Sequence, residues 1–168
     1  MSLDLYLGGY AQGKMQYVLG KYPAARTEIV EGSHLPCRGD DLACVFEQTD
    51  ALRIWNHFHS FVREMLKNRL PEHLSKLSYR EQEKWEDLFL DECLEVIRQA
   101  DRTCGKLVVI SDIAGNGIVP LDPGERIYRE MLGRLQVRMA ARAGHVEMVT
   151  AGLGQVLKDG ERNGPLED

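Results

Sequence analysis

The sequence predicts an α/β domain in three layers, a mostly parallel sheet with helices on both faces and a phosphate-binding loop after its first strand. Three observations lead there. Short apolar runs alternate with longer amphipathic ones along the 168 residues, the pattern of strand–helix–strand units. The run KLVVIS at 106–111 is apolar without alternation, as suits a strand covered on both faces. The first apolar run also opens directly into a glycine-rich turn, a lysine and a helical segment.

The elements follow in order. Leu3 to Leu7 forms the first strand, Gly8-Gly9 ends it, and Met15 to Lys21 supplies one or two helical turns. Thr27 to Val30 is a second short strand, and GSHLPCRGDD at 32–41 is rich in turn formers and reads as an irregular loop. A third strand begins at Leu52 and ends near Asn56. The helix after it carries Phe58, Phe61, Val62, Met65 and Leu66 at helical spacing, until Pro71 interrupts it. Tyr79 to Ala100 repeats the amphipathic pattern through Trp85, Leu88, Phe89, Cys93, Val96 and Ile97 and is the longest helix. Lys106 to Ser111 is the central strand. After DIAGNGIVPLDPG, a helix sets Ile127, Met131, Leu135 and Met139 four residues apart. His145 to Thr150 is a further strand, and GLG turns the chain into Gln155 to Lys158. These elements make one nucleotide-binding domain over 1–158, with 159–168 as a flexible tail that has nothing to pack on.

Composition bounds the partners. Lys and Arg number 21 against 26 Asp and Glu, a net charge of −5, which argues against a general nucleic-acid binder. No apolar run reaches membrane-spanning length, so membrane insertion is not expected. The start MSLDLYLGG has no basic region before a long apolar run, and the four cysteines, Cys37, Cys44, Cys93 and Cys104, contain no C-x-x-C pair. Reduced thiols in a cytoplasmic protein are the expectation.

In open α/β sheets ligands sit beyond the carboxyl ends of the strands, which makes Gly8 to Met15, Asn56 to His59 and Asp112 to Pro120 the rims of one candidate site. GGYAQGKM at 8–15 has Gly8, four intervening residues, Gly13 and Lys14 in phosphate-loop order. Gly8, Gly9 and Gly13 let main-chain N–H groups converge on phosphate oxygens, the helix adds its positive end, and Lys14 reaches the outer phosphates. Met15 stands where a Ser or Thr hydroxyl would bind magnesium, and a thioether is a poor ligand for that hard cation. The plainer alternative is a glycine turn before a helix.

Asp112 ends an apolar strand. It either accepts a hydrogen bond from a substrate hydroxyl or holds a hydrated magnesium ion, or else merely caps or shapes the turn. His57 and His59 share a side on extended chain and diverge on a helix; they suit an anion or the orientation of a substrate. With His34, Cys37 or Cys44 they lack zinc-ligand spacing, and no metal residues are assigned. Arg129 and Arg134 either clamp phosphate as forked donors or form intrahelical pairs with Glu125 and Glu130. Neither a G-x-S-x-G elbow nor a G-x-G-x-x-G fingerprint occurs.

Three pieces together, GGYAQGK at 8–14, GNGIVP at 115–120 and YREMLGRLQVRMAAR at 128–142 followed by AGLGQVLK, resemble the adenosylcobinamide kinase and adenosylcobinamide-phosphate guanylyltransferase family over about half the chain. The resemblance implies a nucleotide-binding α/β protein that uses ATP or GTP, with Mg2+, to phosphorylate the aminopropanol hydroxyl of adenosylcobinamide in cobalamin biosynthesis or salvage. It implies a nucleotide and a corrinoid as ligands, Gly8, Gly9, Gly13 and Lys14 on the phosphates, Asp112 at the substrate, and a homo-oligomer, a trimer with nucleotides near subunit boundaries. In such a kinase Lys14 neutralises the migrating phosphoryl group while Asp112 or His57 orients the attacking hydroxyl, and Arg134 joins the nucleotide site.

The match departs from the family at Met15, at Ile113 where an acid usually follows the strand, at Asn56-His57 where another acid ends one, and at Gln136 in place of Asn. The helix bearing the family's guanylylated histidine has no equivalent between Lys21 and Leu52. The reading is therefore a kinase without guanylyl transfer; the alternative is a noncatalytic member that binds nucleotide or corrinoid.

Overall fold

The computed structural model describes residues 3–23, 25–36, 46–71, 73–114 and 120–160. Its elements are β1 (Leu3–Gly8), α1 (Lys14–Lys21), β2 (Thr27–Glu31), β3 (Leu52–Asn56), α2 (Phe58–Arg69), α3 (Tyr79–Arg102), β4 (Lys106–Asp112), α4 (Pro123–Arg142), β5 (His145–Thr150) and β6 (Leu153–Asp159). The strands form one sheet in the order β2-β3-β4-β1-β5-β6. Every neighbouring pair is parallel except β5 with β6, an antiparallel hairpin. Its turn residues Ala151 and Gly152 both have positive φ, 52° and 76°, the backbone a two-residue hairpin turn requires.

The period of two along each strand sorts its side chains between two cores. Leu3, Leu5 and Leu7 face the larger one with Trp55, Leu107, Val109 and Val146, and α2, α3 and α4 cover it with residues such as Phe58, Phe61, Leu90 and Leu135. Tyr6, Leu52, Ile54, Val108, Ile110 and Val149 face the other way, where Val18, Met15 and Tyr17 of α1 pack on them. This is the expected three-layer α/β arrangement, with unequal layers: among the described residues, three α-helices lie on one face and an eight-residue α-helix on the other.

Capping sets where the long helices begin. Ser78 and Glu81 form a reciprocal capping box before α3. Asp122 accepts the Glu125 N–H and Pro123 takes the first turn of α4, where its missing N–H costs nothing. On β3 the fully buried Arg53 bonds Glu28, Thr103 and the carbonyls of Glu47 and Ala100, so its charge is matched on every side.

Several boundaries differ from expectation. The central strand runs one residue past the expected Ser111, to Asp112. Helix α3 runs to Arg102. The residues after GLG form a full sixth strand, Asp159 ends it opposite His145, and the Gly160 N–H bonds the Gly144 carbonyl. In the expected 32–41 loop, Gly32–His34 is a single 3-10 turn. Residues 37–41 of that loop, with Cys37, as well as Cys44, the GNGIV segment at 115–119 and tail residues 161–168, lie outside the described residues. Among the described residues no helix is long and apolar enough to cross a membrane.

Candidate functional site

Three strand ends meet above the centre of the sheet. At Gly8 the chain leaves β1 beside β5 so closely that a Cβ would stand 2.3 Å from the Val149 carbonyl oxygen. Ala11 and Gly13 then take left-handed backbone, at φ 55° and 76°, and Gly13 caps α1. The β5–β6 turn braces this loop: the Gly152 N–H donates to the Gln12 carbonyl at 2.9 Å, and the Ala151 N–H to Gln12 Oε1 at 2.7 Å.

Lys14 turns back from the first position of α1 into the site and is 9% exposed. Its Nζ donates to the Gly9 carbonyl and pairs with Asp112 Oδ1, both at 2.6 Å. Asp112 is the last residue of β4, and its peptide group is held from two sides. Its N–H donates to His59 Nδ1 at 3.1 Å, and its carbonyl accepts from Gln136 Nε2 at 2.7 Å. Gln136 also bonds Ser111 Oγ.

The third rim is the β3–α2 junction. His57 adopts φ 49°, unusual for a residue with a Cβ, and no side chain caps the helix there. Its Nδ1 lies 2.8 Å from Glu31 Oε2, while Asn56 Nδ2 donates to Glu31 Oε1 at 2.9 Å. Burial alone would raise the Glu31 carboxyl, but these bonds outweigh it and hold the group below its usual range. His59, the second residue of α2, lies deeper than His57. Burial pushes its imidazole below the ordinary 6.5, aided by His57, Lys14 and Arg63 and opposed by Asp112.

Between the rims is a cavity of about 170 Å³, lined by the 11–16 segment, Asn56, His57, His59, Ile110 and Asp112. The amino ends of α1 and α2 both contribute to its wall, so two helix dipoles favour negative charge in it. The structure thus brings together Gly13, Lys14, His57 and Asp112, with Gly8 and Gly9 at the root of the loop.

Arg134 is elsewhere. Its guanidinium bonds Glu86 Oε2 at 2.5 Å and Asp87 Oδ1 at 3.4 Å on α3, because that side of α4 faces the acidic flank of α3 and not the strand ends. Arg129 makes the expected pair with Glu125, at 3.3 Å. Met15 packs toward the smaller core, and among the described residues Asp112 is the only carboxylate lining the cavity. Among the described residues no three His, Cys, Asp or Glu side chains gather as a metal-holding group. The lining residues therefore do not form a resident metal site.

Sequence reasoning left His59 and Gln136 out of the chosen site. On a regular helix His57 and His59 diverge, but the left-handed turn at His57 brings their rings to 5.7 Å between centroids. Gln136 carried a readable signal: it is a buried polar residue within the apolar stripe of α4, between Leu132 and Met139.

A family model described as cobinamide kinase / cobinamide phosphate guanyltransferase matches residues 37–157. That range includes β3 through most of β6 and leaves the 8–14 loop outside. Over 70 residues the chain is 33% identical to the bifunctional adenosylcobalamin biosynthesis protein CobU of Salmonella typhimurium strain LT2, covering 41% of this chain and 39% of that protein. The chain therefore spans about two fifths of the length of the curated relative it matches.

Proposed function

Because this chain belongs to the cobinamide kinase / cobinamide phosphate guanyltransferase family, we propose that it is a nucleotide-dependent kinase of cobalamin biosynthesis or salvage that phosphorylates the aminopropanol hydroxyl of adenosylcobinamide. The observation that carries this reading is the convergence of the 8–14 loop, Lys14 and Asp112 on one cavity at the carboxyl ends of the strands. Loop amides and the amino end of α1 take the phosphates of ATP or GTP. Mg2+ arrives as part of the nucleotide complex, with phosphate oxygens as its main ligands.

Lys14 has to exchange Asp112 Oδ1 for a phosphate oxygen. That exchange places its charge on the migrating phosphoryl group and frees the carboxylate to accept the proton of the attacking hydroxyl. His57 stands beside the same opening and, held by Glu31, orients a substrate and does not attack it. Guanylyl transfer is not part of this reading, because the sequence between Lys21 and Leu52 offers no clear equivalent of the helix that bears the family's guanylylated histidine.

The second reading, noncatalytic binding of nucleotide or corrinoid, is favoured by Met15 and by the closed Lys14–Asp112 pair. Calorimetric titration with ATP and GTP as magnesium complexes, followed by assay for cobinamide phosphate, separates the two. Nucleotide affinity lost in Lys14→Ala together with product formation by the native chain is the expected result. Binding without product leaves the second reading, and no binding at millimolar nucleotide removes the kinase reading and leaves only corrinoid binding of the second.

The same reading places the enzyme in the cytoplasm as a homo-oligomer, a trimer by the family resemblance. Leu153 at 75%, Val156 at 50% and Leu157 at 48% exposure leave apolar surface on the edge strand β6. Sedimentation equilibrium checks the assembly: Val156→Lys is expected to shift it toward monomer.

A further inference from the structure

A second cavity, of about 370 Å³, opens between α2 and α4 next to the first, and His59 and Asp112 line both spaces. Ser60, Arg63, Glu125 and Tyr128 form much of its remaining wall. That wall is rigid for a surface cavity. Arg63 grips Glu125 with two nitrogens, at 2.6 and 3.3 Å, and its guanidinium lies 3.8 Å from the centre of the Tyr128 ring. The Tyr128 hydroxyl in turn donates to the His59 carbonyl at 3.1 Å.

The partition between the cavities has defined hydrogen-bond polarity. His59 Nδ1 accepts the Asp112 N–H, so its lone pair is engaged and the proton of the neutral ring sits on Nε2. Nε2 lies 3.7 Å from Asp112 Oδ2. That is too long for a hydrogen bond between them, and it is a span that one oxygen atom bridges at about 2.8 Å from each. A donor and an acceptor thus face a single oxygen position. A water would satisfy both, and so would an alcohol: its oxygen accepts from Nε2 and its proton points at the carboxylate.

We propose that the α2–α4 cavity is the acceptor compartment, holding the hydroxyl-bearing arm of an alcohol substrate with its oxygen between His59 Nε2 and Asp112 Oδ2. This rests on the kinase reading and assigns the acceptor to one side of the partition and the nucleotide phosphates to the other. The two substrates then meet at the residues the cavities share, and an in-line displacement sets the acceptor oxygen opposite the leaving group. The hydroxyl oxygen bonds the terminal phosphorus as the bond from that phosphorus to the bridging oxygen breaks. The bridging electron pair leaves with the nucleoside diphosphate, and the hydroxyl proton passes to Asp112 Oδ2. His59 is a hydrogen-bond donor throughout and not a base, since taking up a proton would cost it the Asp112 N–H bond. The neutral state that burial imposes on its ring agrees with that role.

The test uses the full chain, with a non-hydrolysable ATP analogue and cobinamide titrated separately. Ser60→Phe fills the second cavity and is expected to weaken cobinamide by on the order of tenfold or more while nucleotide affinity stays within about twofold, the signature of a local steric block. Equal loss of both ligands, or of neither, overturns the assignment. Nucleotide binding without any cobinamide binding by the native chain also overturns it and leaves the nucleotide reading intact, whereas absence of nucleotide binding defeats the kinase reading itself.

Nitrogen-15 spectra of the histidine-labelled native chain, assigned with His59→Gln, supply a readout that does not depend on how the Ser60 variant folds. The proton of His59 is expected on Nε2, with that resonance moving when cobinamide is added. A proton on Nδ1, or an unmoved resonance at saturating cobinamide, contradicts the proposal.

Discussion

Gly8 shows how one missing methyl group sets the position of the loop. Any larger residue there would drive its Cβ against the Val149 carbonyl at 2.3 Å and Lys14 Cδ at 3.2 Å. The obstacle on one side is backbone within the sheet, which cannot rotate away. Gly8→Ala is therefore expected to cost about 1–3 kcal/mol in urea-induced unfolding, the usual range for overpacking a rigid interior. His59 makes a second residue-scale prediction, about pH. Its folded pKa lies below the ordinary 6.5 because the buried ring resists charging. The unfolded chain then binds more protons in the interval between the two values, so stability rises with pH across it. The contribution is fully present above about pH 6.5 and is lost as pH falls through the folded value. Chemical denaturation of the native chain and His59→Gln between pH 7.5 and 5 should show a flatter profile for the variant; parallel profiles would mean that the ring is not held neutral.

At the scale of elements, the short α1 depends on its neighbours, since eight residues are too few for a helix to persist alone in water. Besides Val18, it is fastened by Glu147 of β5, which is 1% exposed and accepts from the Tyr17 hydroxyl at 2.5 Å and from Lys21 at 3.1 Å. Burial pushes the Glu147 carboxyl up, but the bonds from Tyr17, His145 and Lys21 prevail and hold it below its usual range. Tyr17→Phe is expected to cost about 1.5–3 kcal/mol, as for a hydrogen bond to a charged group. A loss well under that in urea titration would show that α1 is held by packing alone.

This clasp was not legible in the sequence, because Tyr17 and Glu147 lie 130 positions apart and local periodicity carries no signal across such a gap. The elements themselves were legible, to within a residue or two, wherever a periodic apolar run was bounded by turn formers, as at Leu3 to Leu7, Leu52 to Asn56 and Tyr79 to Ala100. Asp112 could be assigned to the end of an apolar strand from the sequence. Its pairing with Lys14 depends on β1 and β4 being neighbours, a fact of topology. Arg134 failed as a site residue for the same reason: helical spacing gives a residue its face, but only packing decides whether that face meets a ligand or, here, the acids of α3.

Across the whole molecule, the Lys14–Asp112 pair makes ligand binding measurable as stability. The loop is rooted in β1, braced by the β5–β6 turn through Gln12, and closed onto β4 by Lys14. A phosphate seated among its amides therefore bears on β1, β4 and β5, which lie side by side at the middle of the sheet. The unfolded chain has no such cup, so on the proposed kinase reading nucleotide binds the folded state selectively. At a hundredfold excess over its dissociation constant it should contribute about 2.7 kcal/mol, or roughly 5–11 °C in melting temperature for a chain of this length. Differential scanning fluorimetry with ATP and GTP magnesium complexes reads this directly. Lys14→Ala is expected to abolish the shift, because that variant removes the cation that must move from Asp112 to the phosphate. It also leaves the Asp112 carboxylate facing the cavity unpaired, a negative charge that opposes an incoming phosphate. Lys14→Arg retains the charge but cannot place a compact ammonium between Gly9 and Asp112, so its shift should be intermediate. An undiminished shift in Lys14→Ala would locate nucleotide binding away from the 8–14 loop.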